Sequence, residues 1–330
     1  MHDNSLVLSE ELRERGGQTT EEAAVTGGRA TLVRMGVLAL LWGSSFLWIK
    51  LALGGLPPAW ISAVRCVLGA LVVLGLCAWG RHRLPGSVRT WGHLAVAAFF
   101  GSALPFLLFA IGELTVDSGV AGVLNSTTPL WALLIGIVIG TDRGLSPVRL
   151  GGLLVGFAGT VLIFAPWQTS GLASWGAVAI LAGSASYAVA YAYVARKLSN
   201  RGTSPIALSG AQLTAAAAMG LLTLPFSDTT SIALTPTVLV AIGVLGVLGT
   251  GVAFAINYRL IADEGATQAT TVGYLLPVVS VLLGALFLHE PLNARVVAGM
   301  VVVLAGVAMT RFRPRPVPAP APDPVLVTRS

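Results

Sequence analysis

Ten runs of about 20 mostly apolar residues, separated by short polar or turn-forming segments, dominate this sequence. A helix needs about 20 residues to cross the hydrocarbon layer of a bilayer, so these runs predict transmembrane helices. The predicted spans are 33–52, 58–79, 92–111, 119–140, 149–165, 174–195, 205–226, 236–258, 267–288 and 295–311. Charged residues are only 10% of the chain, too few to cover a soluble fold of this size. The sequence therefore predicts an all-α integral membrane protein.

The basic residues are distributed unevenly between the two sides of these spans. Seventeen of the 20 lysines and arginines fall in the N-terminal segment, in the loops that follow even-numbered spans, or in the C-terminal tail. Lys50 and Arg295 fall on the opposite side, and Arg65 lies within the second span. Because basic loops are retained on the cytoplasmic side, we expect a multi-pass cell-membrane protein with both termini in the cytoplasm.

The second half of the chain matches the first at an offset of 148 residues, from the second span to the tenth. Matched pairs include Pro57 and Pro205, Gly101 and Gly249, Phe106 and Phe254, Pro129 and Pro277, and Asp142 and Glu290. Each repeat has five helices, and an odd number gives the two repeats opposite orientations in the bilayer. The predicted divisions are a polar cytoplasmic segment (1–30), two inverted five-helix repeats (31–166 and 172–311) and a Pro-rich cytoplasmic tail (312–330). Inverted repeats are typical of secondary transporters, which bind substrate between the repeats.

Several motifs in these repeats resemble those of EamA-type carriers in the drug/metabolite transporter superfamily. The segment Trp42-Gly43-Ser44-Ser45-Phe46 in the first span is similar to the W-G-x-x-F signature of that family. The same pattern includes Pro57-Pro58 followed by Arg65, the prolines at 129 and 277, and the acidic residues Asp142 and Glu290. The resemblance extends over about residues 31–311 and implies a ten-helix, exporter-like carrier of small metabolites, such as amino acids or drugs.

Polar and aromatic residues inside the spans form the candidate substrate site. Arg65 is the only ionisable residue deep within a span. It is expected either to attract an anionic group of the substrate or to hold helices together through bonds to carbonyls. Trp42 and Ser45 share one helix face, and Tyr187 and Tyr191 share another in the sixth span. These two faces are expected either to line a cavity or to pack between helices.

Pro129 and Pro277 are predicted to kink the fourth and ninth spans. Proline removes a helical hydrogen bond and frees the carbonyl four residues earlier, which for Pro129 belongs to Asn125. Asn125 is therefore a further substrate-binding candidate, together with Tyr274 before Pro277 and Asn257 in the eighth span. The alternative is a structural kink whose polar groups are satisfied by neighbouring Ser and Thr hydroxyls.

Other functional classes have less support in the sequence. No predicted span has Asp, Glu or His at its centre, so we expect transport without a buried carboxylate relay. Walker-type phosphate loops, G-x-S-x-G motifs and clusters of metal ligands are absent from the sequence, so no enzyme activity, cofactor or metal is expected. The expected partners are a small-molecule substrate and the lipid bilayer, with no nucleic acid and the oligomeric state left open. The alternatives are a sensor or assembly protein of the same fold and, beyond that, an intramembrane enzyme.

Overall fold

The computed structural model describes residues 31–140, 147–164, 174–198, 202–229, 232–264, 272–273 and 275–310. Within these ranges all regular secondary structure is helical. The helices are α1 (Thr31–Ala52), α2 (Pro58–Trp79), α3 (Val88–Gly112), α4 (Ser118–Val138), α5 (Pro147–Phe164), α6 (Trp175–Lys197), α7 (Pro205–Phe226), α8 (Pro236–Asp263), α9 (Leu276–Phe287) and α10 (Ala294–Thr310). The predicted terminal segments, Asp142 and Tyr274 lie outside the described residues.

Seven of the described helices, α1 to α4 and α6 to α8, are long and apolar enough to cross a membrane. The apolar stretches of α5, α9 and α10 are shorter, at Leu150–Ile163, Leu276–Phe287 and Ala294–Met309. Inside a bilayer no water replaces a lost backbone hydrogen bond, so apolar segments become helices, which satisfy their own N–H and C=O groups. The chain is a helical, multi-pass membrane protein, and its division into ten spans and two repeats remains a prediction.

The two prolines predicted to kink helices lie in the first turn of described helical segments. α4 is interrupted at Ser126 and Thr127 and resumes at Thr128, so Pro129 is in the opening turn of the second segment. Pro277 is likewise in the first turn of α9, whose described part begins at Leu276, while the predicted start at 267 lies outside the described residues. A first-turn N–H has no partner within its helix, so proline is tolerated there.

Hydroxyl groups satisfy the backbone at the interruption in α4. Ser126 and Thr127 donate hydrogen bonds to carbonyls three residues earlier, at 2.6 and 2.7 Å. Thr128 donates in the same way to the carbonyl of Asn125, at 2.7 Å. The prediction that Pro129 leaves this carbonyl free is therefore wrong, because the adjacent hydroxyl supplies the missing donor. As in the alternative, neighbouring Ser and Thr hydroxyls satisfy the polar groups at this interruption.

Two π-helical segments interrupt α3 and α8. They lie at Phe99–Ala103 and Val247–Val252, so their first residues are separated by the same 148 residues as the sequence matches. A π segment carries one residue more than the regular helix and leaves backbone carbonyls in need of other donors. The Ser186 hydroxyl donates to the carbonyl of Phe100 at 2.7 Å, and the Thr250 hydroxyl donates to that of Leu245 at 2.9 Å.

Glycine brings α5 and α10 into backbone contact. A methyl group added at Gly159 would lie 2.7 Å from the backbone nitrogen of Val303 and 3.0 Å from the carbonyl oxygen of Gly299. In the absence of a hydrophobic driving force between helices in lipid, close packing at small residues is a principal source of helix association. Helix α2 provides a contrast at Gly75, where an added methyl group would meet nothing within 4 Å.

We expect Gly159→Ala to destabilise the protein by about 1–3 kcal/mol, because α10 must move to admit the new methyl group. Gly75→Ala is the matched control, and it should be neutral or stabilising by about 0.5–1 kcal/mol because alanine favours the helix. Thermal unfolding of both variants in detergent measures the difference. Equal melting temperatures would contradict the backbone contact between α5 and α10.

Candidate functional site

Arg65 lies in the middle of α2 with its guanidinium buried between helices. The side chain is 4% exposed, and its central carbon lies 3.7 Å from the centroid of the Phe106 ring in α3. Its Nε donates a 3.1 Å hydrogen bond to the hydroxyl of Thr250, in the π segment of α8. Within the described part of the chain, its terminal nitrogens make no hydrogen bond or ion pair. Arg65 therefore joins helices and also retains donors that can bind an anionic group.

A row of aromatic rings extends from Arg65. Phe106 packs edge-on against Phe254, with ring centroids 6.3 Å apart, and Phe254 packs in the same way against Trp42, also at 6.3 Å. Phe106 and Phe254 are a matched pair at the 148-residue offset, and they touch each other. This pair therefore brings matched positions of the two halves into direct contact.

A second row of rings runs along α6. Tyr187 stacks on Phe109 at 5.8 Å and on Tyr191 at 6.5 Å, and Phe109 packs edge-on against Phe46 of α1 at 5.7 Å. Tyr187 contacts the hydrophobic cluster that contains Phe106 and Phe254, and so does Trp42. The structure thus brings the predicted residues Trp42, Arg65 and Tyr187 into one region, while Tyr191 is 45% exposed.

A buried hydrogen-bonded chain that the sequence analysis did not identify links α8, α7 and α3. Tyr258 donates to the side-chain oxygen of Gln212 at 2.6 Å, and the Gln212 amide donates to the hydroxyl of Ser102 at 3.1 Å. Ser102 lies in the π segment of α3 and matches Thr250 at the 148-residue offset. The sequence did contain a signal for these two hydroxyls, because each directly follows one glycine of the matched pair Gly101 and Gly249.

The two π segments therefore receive polar side chains in a similar way. Arg65 of α2 bonds to the hydroxyl in the segment of α8, and Gln212 of α7 bonds to the hydroxyl in the segment of α3. Each bond crosses from one matched half of the chain to the other. The four residues are all 5% exposed or less, so their polar atoms are held away from lipid.

The remaining predicted site residues differ in their surroundings. Ser45 is buried, and its hydroxyl donates to the carbonyl of Leu41 in its own helix at 2.9 Å. Asn257 is 8% exposed, and its side-chain amide makes no hydrogen bond with the described residues. Asn125 is partly buried and has its carbonyl satisfied by Thr128. The hydroxyl of Ser45 is thus satisfied within its own helix, whereas the side-chain amide of Asn257 retains hydrogen-bonding capacity.

One buried carboxyl group, that of Glu113, lies at the end of a span, and whether transport uses a carboxylate relay stays a prediction. This residue follows the last residue of α3, and its side chain is fully buried. Burial raises the pKa of the Glu113 carboxyl well above its usual range, with the nearby carboxylate of Glu290 acting in the same direction. The predicted span bounds leave Glu113 between the third and fourth spans, and its burial results from packing against distant parts of the chain.

Comparison with known proteins assigns the chain to a family. A sequence model described as the EamA-like transporter family matches it twice, at residues 33–165 and 174–312. This chain belongs to the EamA-like transporter family. Membership agrees with the resemblance in the sequence motifs, and the two matches cover most of both predicted repeats.

Relatives of this EamA-family protein are named as transporters. The uncharacterized inner membrane transporter YedA of Escherichia coli (strain K12) is 30% identical over 259 residues, covering 75% of this chain and 79% of that protein. The uncharacterized transporter YvbV of Bacillus subtilis (strain 168) is 23% identical, covering 84% and 90%. The WAT1-related protein At3g02690, chloroplastic, of Arabidopsis thaliana is 22% identical, covering 87% and 72%. These names indicate a transporter family and not an enzyme family.

A crystal structure aligns with this EamA-family chain with a TM-score of 0.62 at 20% sequence identity. The alignment covers 86% of this chain and 96% of that one. The similarity shows a shared fold, since almost the whole of the solved chain is matched.

We expect Thr250→Val to destabilise the protein by about 1.5–3 kcal/mol, because the buried Arg65 loses its hydrogen-bond acceptor. Thr160→Val is the control, since that buried hydroxyl bonds only to the Gly156 carbonyl of its own helix, at 3.0 Å. Its loss should cost about 1 kcal/mol or less. Thermal unfolding in detergent compares them, and equal shifts would contradict a stabilising bond between α2 and α8.

Proposed function

We propose that the protein is a secondary transporter that exports small molecules across the cell membrane by alternating access. In this mechanism two inverted five-helix repeats, residues 31–166 and 172–311, enclose one substrate site that faces either side in turn. Family membership and the transporter names of the relatives support the transport function. The export direction and the small-metabolite substrates follow from the resemblance to EamA-type carriers.

Matched features in the two halves support an inverted-repeat mechanism. The π segments of α3 and α8 start 148 residues apart, and each receives a polar side chain from the other half. Two nearly equivalent halves give two conformations of similar free energy, one open to each side. Similar free energies are the condition for a carrier that cycles without being trapped.

The observation that carries the proposed site is the guanidinium of Arg65. It is buried within a membrane-spanning helix, beside the Phe106 and Phe254 pair, with terminal nitrogens that bond to no described residue. A charged group at membrane depth is expensive and is usually functional or paired. Arg65 would bind the anionic group of a substrate, with Trp42 and Tyr187 packing against its apolar part and Asn257 supplying a hydrogen bond.

Substrates can be sought by growth, since an exporter protects cells from the compounds it removes. Cells overexpressing the protein are challenged with toxic concentrations of amino acids, other metabolites and drugs. Compounds to which they become resistant are then loaded into proteoliposomes that contain the purified protein. Efflux from these vesicles supports a carrier. Binding without efflux for every such compound would favour a sensor or assembly protein instead.

For a transported compound with a carboxylate or other anionic group, Arg65→Ala should reduce efflux about tenfold or more, since a charge-assisted hydrogen bond is worth about 1.5–3 kcal/mol. Arg65→Lys keeps the charge and should retain part of the activity. Arg259→Ala is the control, because that arginine is exposed near the end of α8. Equal efflux for Arg65→Ala and Arg259→Ala, at equal protein content, would remove Arg65 from the substrate site.

The proposed topology has both termini in the cytoplasm, and tags attached to each end test it. Both tags should be inaccessible to a membrane-impermeant protease in intact cells and become accessible after permeabilisation. A cysteine introduced at Arg295, on the predicted outer side, serves as the positive control for labelling in intact cells. Tags found on opposite sides of the membrane would exclude two inverted five-helix repeats.

A further inference from the structure

The carboxyl group of Glu113 has no partner in the described structure. It lies at the start of the turn that joins α3 to α4, and both carboxyl oxygens are buried without a hydrogen bond among the described residues. A buried ionised carboxylate without hydrogen bonds is far more costly than the neutral acid, so such a group takes up a proton. In this conformation the carboxyl is therefore expected to be protonated.

The nearest lysine does not form an ion pair with this carboxyl. The ammonium group of Lys50, at the end of α1, donates instead to the backbone carbonyls of Glu113 and Val116, at 2.7 and 2.9 Å. The ammonium group of Lys50 thus holds the turn between α3 and α4 through backbone carbonyls of that turn. Its charge attracts the Glu113 carboxyl only through space, and this attraction is smaller than the effect of burial.

The other groups around Glu113 include charges of both signs. Glu290, which follows α9, accepts hydrogen bonds from the backbone N–H groups of Ser118 and Gly119, at 2.7 and 2.9 Å. Its negative charge disfavours ionisation of Glu113, whereas Lys50 and Arg65 favour it. Asp117 is exposed at the start of α4 and adds a further negative charge at this end.

The remaining neighbouring helix, α6, contributes Gly176 and Ile180 at the end of α3. Neither side chain carries a charge. Lys50 from α1, Arg65 from α2 and Glu290 after α9 are therefore the charged groups of the described residues that act on Glu113. Asp117 and Arg295 lie at the same end, where they line a groove with Glu290.

Glu113 is fully buried, so it meets water only when the elements around it move apart. The contact of α4 with α9 lies at the same end of the protein. α4 packs directly on α9 here, since a methyl group added at Gly119 would lie 3.1 Å from the Cα of Val281, and one at Gly122 would overlap Ser280. The bonds from Glu290 attach the residues after α9 to the first turn of α4. A further backbone bond, from Ala233 to the carbonyl of Gly55, joins the segment before α8 to the segment after α1 at 2.8 Å.

We propose that Glu113 is a proton-binding site of the carrier, occupied while α4 and α9 are packed together at this end and vacated when they separate. This proposal rests on the alternating-access function above, and in the proposed orientation this end faces the outside. When the end opens, the carboxyl becomes hydrated, its O–H bond breaks and the proton passes to water. Protonation from the outer side is then required before the end closes again.

The consequence is a linkage between external protons and the two conformations. A ligand that binds one state more tightly shifts the equilibrium toward that state. Because the closed end favours the protonated acid, raising the pH favours the open end. A proton that enters and leaves from the outer side only regulates closure, and it does not by itself couple transport to a proton gradient.

Solvent labelling of one introduced cysteine tests the proposal without a substrate. Ser118 is fully buried at the contact of α4 with the residues after α9, so Ser118→Cys in a Cys66→Ala, Cys77→Ala background reports opening to a water-soluble maleimide. The full-length protein is purified in detergent and labelled over a range of pH. At alkaline pH, labelling should be faster in protein with Glu113 than in the Glu113→Gln variant. The ratio should be about tenfold for each unit by which the pKa of Glu113 is higher in the closed than in the open conformation.

The introduced thiol itself reacts faster as the pH rises. Comparing it in the Glu113 and the Glu113→Gln backgrounds removes this contribution, because the thiol is the same in both. At acidic pH the two backgrounds should label at similar rates, because a protonated glutamate resembles glutamine. Asp263→Asn, which removes an exposed carboxylate paired with Arg34 at 2.7 Å, is the control and should leave the pH profile unchanged. Equal pH profiles of labelling with Glu113 and with Glu113→Gln would overturn the proposal. A labelling rate that depends on the sodium concentration at constant pH, and not on pH, would also overturn it.

Thermal unfolding provides a second readout that needs no introduced cysteine. The folded carboxyl has a raised pKa and binds its proton more tightly than the unfolded chain, so its contribution to stability is present at low pH. That contribution is lost as the pH rises above the ordinary glutamate value toward the raised pKa of the folded state. Glu113→Gln should therefore lessen the fall in melting temperature at alkaline pH.

The outcomes separate this proposal from the transport proposal. Failure to find efflux for any compound, with the labelling difference intact, would remove the transport function and leave Glu113 as a proton-sensitive site. Efflux together with pH-independent labelling in both backgrounds would leave a carrier and remove the proton site.

Discussion

The need to satisfy backbone polar groups without water controls this structure. Helices satisfy their backbones internally, and each interruption of a helix in the described residues brings a specific donor with it. In α4 the hydroxyls of Ser126, Thr127 and Thr128 return to the backbone, and at the π segment of α3 Ser186 donates to the carbonyl of Phe100. Irregular backbone therefore occurs where another side chain can reach it.

The same requirement accounts for the polar contacts between the matched halves. Arg65 and Gln212 each reach a hydroxyl in the π segment of a helix from the other half. These bonds join α2 to α8 and α7 to α3 near the aromatic pair of Phe106 and Phe254. The π segments, the cross-half bonds and the candidate site thus lie in one region, where a change in the packing of the halves would alter all three.

Hydropathy predicted most of the helices because lipid imposes a simple rule on apolar runs. The predicted bounds 58–79 and 205–226 coincide with α2 and α7 as observed. The interruption of α4 before Pro129 was missed because an apolar run reports its environment, whereas proline determines where a helical segment can begin. The π segments and the Gln212 chain were missed because hydrogen bonds between distant helices leave little local pattern. The burial of Glu113 was missed for the same reason, since neighbours such as Lys50 and Glu290 are distant from it in sequence.

The contact between Phe106 and Phe254 also limits how symmetric the site can be. Residues near a pseudo-two-fold axis face their own counterparts, yet the residue matched to Arg65 at the 148-residue offset is Leu213, which is fully buried. Among the described residues, the region around this aromatic pair therefore has a cation at the first-half position and an apolar side chain at the matched second-half position. A molecule held there would meet unlike surroundings on its two sides, with a cation toward one end and apolar side chains toward the other.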